Sequence, residues 1–123
     1  MSYPVPVGVV LIAQFPEASS SGREQIGEHP AVVVGVPEFV GPPVYPGLIL
    51  VPFTTRLDRL GNAAPALYPR YPVGVAGLTR PSAALIDQVR YVDRARLRNA
   101  LGRLTEAEFE PIRAALQAML ALD

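Results

Sequence analysis

Short apolar runs rich in valine, broken by proline and glycine, fill the first three quarters of the chain, a pattern that favours strands over helices. Residues 7–15, 31–35, 48–54, 73–76 and 84–92 are the predicted strands. Two polar connections lie between them, residues 16–28 with SSSG near the centre and residues 56–71. Each is longer than a hairpin turn needs, which makes each either a mobile tip or a functional loop. From Thr105 the period changes: TEAEFEPIRAALQAMLALD opens with Thr105 and, three residues on, Glu108, a capping-box pair. Phe109, Ile112, Leu116, Met119 and Leu120 then recur at helical spacing, which predicts an amphipathic helix with its apolar stripe on the core. Pro111 lacks the N–H that an interior helical residue donates. Either the helix kinks there, or its regular part starts near Glu110. The expected fold is therefore mainly β with a C-terminal α-helix, a small, strongly curved barrel or sandwich with a helix laid on it.

Composition narrows the chemistry. With 123 residues the chain is expected to form a single domain over 1–123. It has no cysteine, which excludes disulfides, thiolate catalysis and cysteine-based zinc sites. One histidine and no acidic pair at ligand spacing lead to the expectation of no metal and no cofactor. The apolar run 9–13 is too short to span a bilayer and follows no basic residue, so neither signal peptide nor membrane anchor is expected, and a cytoplasmic location follows. Net charge is zero, yet residues 56–103 carry nine arginines against three aspartates, an excess of six, and no basic residue is lysine. A planar guanidinium fork binds phosphate through two hydrogen bonds, so this middle section suits a polyanionic partner as well as it suits an ordinary solvated surface.

The order of motifs carries more. A glycine before a first strand ending in Phe15, then GREQIGEHPAVVVG at 22–35, VPFTT at 51–55, ALIDQVRYVDRARL and LGRLTEAEFEPIRAAL resemble the MazF/PemK family of toxin endoribonucleases in sequence and spacing. That family shows G-S-E-Q-x-G-x-R-P before an apolar strand, a P-x-T-T or P-x-T-S step, and a D/E-Q-[VI]-[KR]-x-[IVL]-D strand. The resemblance runs from about Gly8 to Leu122 and implies the small SH3-like barrel shared by MazF and CcdB toxins. It implies metal-independent cleavage of single-stranded RNA, usually mRNA, at short motifs, which inhibits translation and growth. The 2′-hydroxyl attacks the neighbouring phosphorus and leaves a 2′,3′-cyclic phosphate and a 5′-hydroxyl. A homodimer with RNA grooves near its interface is implied as well, together with a cognate MazE-like antitoxin whose acidic tail occupies the groove. A gyrase poison of the CcdB type is the lesser reading, since the chain ends in Leu-Ala-Leu-Asp and contains no tryptophan.

Mapped onto this sequence, the family threonine falls on Thr54 and the family arginine falls on His29, within Gly27, Glu28, His29, Pro30. Arginine is a permanent cation, whereas histidine is a proton carrier and a weaker fixed charge. His29 therefore either performs proton transfer, with Arg23 of GREQ supplying the charge, or marks an altered or silent site that keeps the fold and its protein partners. Glu24 and Gln25 match the family's E-Q, which orients the catalytic residue or contacts RNA. Asp87, Gln88 and Arg90 match the strand whose polar residues face the RNA, where an amide can read a base edge and an arginine can hold phosphate. Phe15 is a candidate for base stacking or for the core. Arg94, Arg96 and Arg98 alternate as residues on one side of a strand do, or belong to a solvated face.

Overall fold

The computed structural model describes residues 5–16 and 27–122. Strands β1 (Val9–Phe15), β2 (Gly27–Gly35) and β3 (Gly47–Thr54) arise from the valine-rich runs and pair antiparallel in sequence order. A one-turn helix α1 (Leu57–Leu60) leads to β4 (Arg70–Tyr71) and β5 (Ser82–Ala84); β6 (Arg90–Asp93), β7 (Leu97–Arg103) and helix α2 (Glu106–Met119) complete the chain. The sheet runs β4-β5-β3-β2-β1-β7, with β6 added to β3. Register shifts between β1 and β7, and at Val33/Gly35 between β2 and β3, curl this sheet into a half-barrel, because each bulge bends and twists its strand.

Both faces of the central strands are buried, as expected for near-continuous apolar runs. Val10, Val32, Val51 and Phe53 face α2, where Phe109 and Ile112 close the core with Leu78, Ile86 and Leu104. The alternate positions Leu11, Ala13, Phe15, Ala31, Val33, Leu48 and Leu50 form a second cluster on the opposite face, with Val92 of β6. Gly8, at φ +95°, joins these layers: its N–H donates to the Val33 carbonyl and its own carbonyl accepts from Leu104. An L side chain there would be strained.

Helix α2 keeps its predicted start. Thr105 Oγ1 accepts from the Glu108 amide at 3.1 Å, and Glu108 Oε1 accepts from the Thr105 amide at 2.9 Å. Because this capping box sets the first turn, Pro111 stands inside the helix rather than in its opening turn, against the reading that regular helix begins near Glu110. The apolar stripe is packed only as far as Leu116; Met119 and Leu120 are exposed.

Two other expectations change, and one strand was not foreseen. Residues 73–76 are not a strand: Pro72 and Gly74, at φ +96°, turn the chain into a 3-10 segment, Val75–Gly77. Residues 84–92 divide into the end of β5, a 3-10 turn Ile86–Gln88 and β6. β7 was hidden by its polar sequence, and it approaches the Val75–Gly77 turn so closely that a Cβ on Gly102 would stand 2.7 Å from the Ala76 backbone.

Tyr71 ties the sheet to the helix. Its ring meets Phe53 edge to face at 6.0 Å, and its hydroxyl donates to the Glu108 carbonyl at 2.6 Å. Burial, and secondarily the Glu108 charge, push its phenol up to about 12 from 10.0. The unfolded chain therefore ionises first as pH rises, so this contribution to stability is complete below pH 10 and disappears on the way to about 12. Denaturant unfolding followed through that interval should show falling stability, and Tyr71→Phe should flatten the fall while costing about 1 kcal/mol near neutrality through the lost hydrogen bond.

Candidate nucleic-acid interface

His29 lies on β2, directly across from Ala13 of β1. β2 and β3 pair in the register Ala31↔Pro52, Val32↔Val51 and Val33↔Leu50; the pairing ends at Ala31↔Pro52, and the same register continued two steps sets His29 against Thr54. Side chains alternate across a strand, so His29 shares the face of Ala31 and Val33, and Thr54 shares the face of Leu50. The two are thus on the same side of neighbouring strands, with His29 partly exposed and Thr54 only 7% exposed. Thr54 Oγ1 accepts from the Arg56 amide at 3.1 Å, which holds the side chain at the strand end. Its O–H remains the donor that can reach a phosphate oxygen.

Arg90 starts β6 opposite Leu50 and belongs to the same face. Its guanidinium sits 5.2 Å from the centroid of the Phe15 ring, and Nη2 donates to the Pro16 carbonyl at 3.5 Å. Phe15 itself is a core residue, 1% exposed and covered by Arg90, so a base would meet the guanidinium before it met the phenyl ring. The last β1–β2 pair is Phe15↔Gly27. Arg23, Glu24 and Gln25 belong to the connection beyond that pair and lie outside the described residues.

Asp87 and Gln88 are placed on the 3-10 turn Ile86–Gln88 rather than on a strand. The turn forms because β5 has ended and Leu85 donates to the Pro52 carbonyl before β6 begins. Asp87 is exposed and accepts a 2.7 Å hydrogen bond from the Tyr68 hydroxyl, so it is engaged within the protein. Gln88 is half-buried at the end of the turn.

The arginines separate into roles. Arg94 and Arg96 occupy a 3-10 turn started by Asp93, whose Oδ1 accepts from Ala95, and only Arg98 continues into β7. Arg94 is structural: it pairs with Glu38 at 2.9 Å and fastens the β2–β3 connection to the end of β6, with Nη1 buried and unpartnered among the described residues. Arg98 donates to Gln14 Oε1 at 2.9 Å across the β1–β7 edge. Arg70, which no motif singled out, lies on β4 opposite Ala83, the residue that pairs with Thr54 on its other side. Its only local signal is the exposed partner of a buried tyrosine, Arg70-Tyr71, and two residues are too few to reveal a strand.

Among the described residues no group of histidine, cysteine, aspartate and glutamate is arranged to hold a metal ion. No helix among them is long and apolar enough to cross a membrane.

A curled antiparallel sheet backed by a C-terminal helix is an architecture shared with solved MazF structures. The crystal structure of MazF from Deinococcus radiodurans superposes with a TM-score of 0.70 at 23% identity, covering 98% of this chain and 99% of that one. MazE–MazF from the same organism gives 0.69 at 22%, covering 99% and 100%. An endoribonuclease in complex with its cognate antitoxin from a mycobacterial species gives 0.66 at 17%, covering 97% and 98%. At these identities the likeness is one of fold. No curated protein sequence matches the chain. The family model for the PemK-like, MazF-like toxin of type II toxin-antitoxin systems matches residues 7–120, and the chain belongs to that family.

The Tyr68–Asp87 bond raises the Tyr68 phenol above its ordinary 10.0, chiefly because Asp87 accepts a hydrogen bond from the neutral phenol, with partial burial and the Asp87 charge adding to the effect. Asp87→Asn should lower it again, read as an earlier tyrosinate signal in an ultraviolet pH titration from which the titration of Tyr68→Phe is subtracted to isolate Tyr68.

Proposed function

We propose that this chain is a metal-independent endoribonuclease that cuts single-stranded mRNA in the cytoplasm and thereby inhibits translation and growth. The observation that carries the reading is the placement of His29 and Thr54 at one level of neighbouring strands and on one face. Attack of a 2′-hydroxyl on the adjacent phosphorus requires a group to take its proton, a group to protonate the departing 5′-oxygen, and donors for the charge that grows on the phosphoryl oxygens. His29 supplies proton transfer, because an imidazole can both take and give a proton near neutrality. Thr54 donates its hydroxyl to a phosphoryl oxygen, and Arg23 adds the fixed charge that histidine lacks. Arg90, anchored over Phe15, holds the strand by phosphate or by stacking, and Gln88, Glu24 and Gln25 contact bases. Asp87 acts through Tyr68.

The chain works as a homodimer in this reading. Phe39, Val40, Val44 and Tyr45 are exposed along the β2–β3 connection, and Tyr91 of β6 lies over Gly47 beside them, an apolar surface that supports self-association. A MazE-like antitoxin with an acidic segment would cover the arginine-bearing face and exclude RNA.

Purified protein incubated with a long RNA in EDTA should produce fragments whose 5′ ends carry hydroxyls and fall within one short recurring motif. Absence of cleavage at every enzyme concentration would leave a silent, antitoxin-binding module as the correct reading. Thr54→Val, which keeps the volume and removes the hydroxyl, should lower kcat about 10²-fold. His29→Arg should lower it by about 10²-fold or more; a variant as fast as the parent would show that His29 transfers no proton.

A further inference from the structure

One row of the sheet continues past the His29–Thr54 pair. Ala83 of β5 pairs with Thr54 on one side and with Arg70 on the other, so the three form a cross-strand row whose side chains leave the same face. Arg70 is held to that face by its neighbour. Tyr71 points the other way, fixed by Phe53 and by its bond to Glu108. Two strand spacings separate Thr54 from Arg70, about 10 Å. One arm of the Arg70 guanidinium donates to the Gly61 carbonyl, which orients the fork and leaves its remaining donors outward.

Beside this arginine is a cavity of about 250 Å³ lined by Gly61, Asn62, Ala63, Pro65, Tyr68 and Arg70. It is smaller than the roughly 300–1,000 Å³ of sites that enclose drug-sized molecules, and it combines an apolar wall, an aromatic ring, an amide and a cation. That is the equipment for one nucleotide: a ring to stack the base, an amide for its edge, a guanidinium for its phosphate. The Tyr68 ring is anchored by its 2.7 Å bond to Asp87, and the turn that carries Asp87 leads through Gln88 to Arg90 on the cleavage face.

We infer that Arg70 and this cavity form a second nucleotide subsite, which binds one phosphate and one base of the same RNA strand outside the scissile bond. The inference rests on the RNA-cleaving reading for its substrate. Its consequence is that RNA long enough to span from Thr54 to Tyr68 binds more tightly than a fragment that covers the cleavage step alone.

The test measures binding of a fluorescent RNA carrying 2′-O-methyl groups, which cannot be cut, across a salt series. Arg70→Gln should reduce the slope of log affinity against log salt by about 0.7, the value for one phosphate on a single strand, while Arg70→Lys keeps the slope. Tyr68→Ala should weaken binding about tenfold with the slope intact. With cleavable RNA the Arg70→Gln loss should enter KM, and an RNA too short to reach the cavity should bind all three variants like the parent. An Arg70→Gln slope and affinity equal to the parent's, or an equal loss on the short RNA, would overturn the subsite. A free mononucleotide that binds as tightly as the long RNA would assign the cavity to a soluble ligand and overturn it too. If the parent binds the uncut RNA with these dependences yet never cleaves the unmodified one, the subsite stands and the catalytic reading falls; if it binds no RNA, both fall.

Discussion

Along one edge of β3 the pairing passes from β6, whose last partner is Leu50, to β5, whose first partner is Phe53. Pro52 stands at that handover. Its carbonyl accepts from Leu85 on this edge, and the backbone N and C=O of a strand residue face the same way, so the missing N–H falls in the gap between the two partners. A proline in a central strand usually interrupts a ladder; here it marks where one ladder ends and another begins. The handover lets one strand organise both halves of the sheet. β6 brings Arg90 beside Leu50, β5 and β4 bring Ala83 and Arg70 beside Thr54, and β2 brings His29 along the opposite edge.

The two buried faces divide the labour. The face toward α2 holds Phe53, Tyr71, Phe109 and Ile112, large side chains joined by an edge-to-face contact and a buried hydroxyl bond. It is the packed side. The other face begins as core around Leu11, Val33 and Leu48 and becomes polar toward the strand ends, where His29, Thr54 and Arg90 emerge. These three side chains are thus supported from beneath by close-packed aliphatic residues, which fixes their separation.

How much of this was legible follows from the physics of each element. β1, β2 and β3 were readable because burial on both faces demands unbroken apolar runs, and α2 because its capping box and helical spacing are local. β7 was not: it is an edge strand, paired only to β1, and its LRNALGR sequence carries the charges that keep edges from pairing further. Valines 73 and 75 misled because β propensity yields to Pro72 and to the positive φ of Gly74. At the site, motif order alone drew attention to His29 and Thr54. Arg70 was invisible, since its neighbourhood depends on a register between strands separated by more than a dozen residues. Asp87 was located but its engagement with Tyr68, a long-range contact, was not.

The strand pair Phe15↔Gly27 closes the base of the β1–β2 connection, two residues from His29. A socket of this kind decouples what lies beyond it from what lies beneath. The entropic cost of closing a loop grows only with the logarithm of its length, so residues can be inserted or exchanged between those two anchors while the strands and the packed faces keep their places. Sequence change can therefore accumulate in one segment of the gene, without renegotiating the stability of the scaffold.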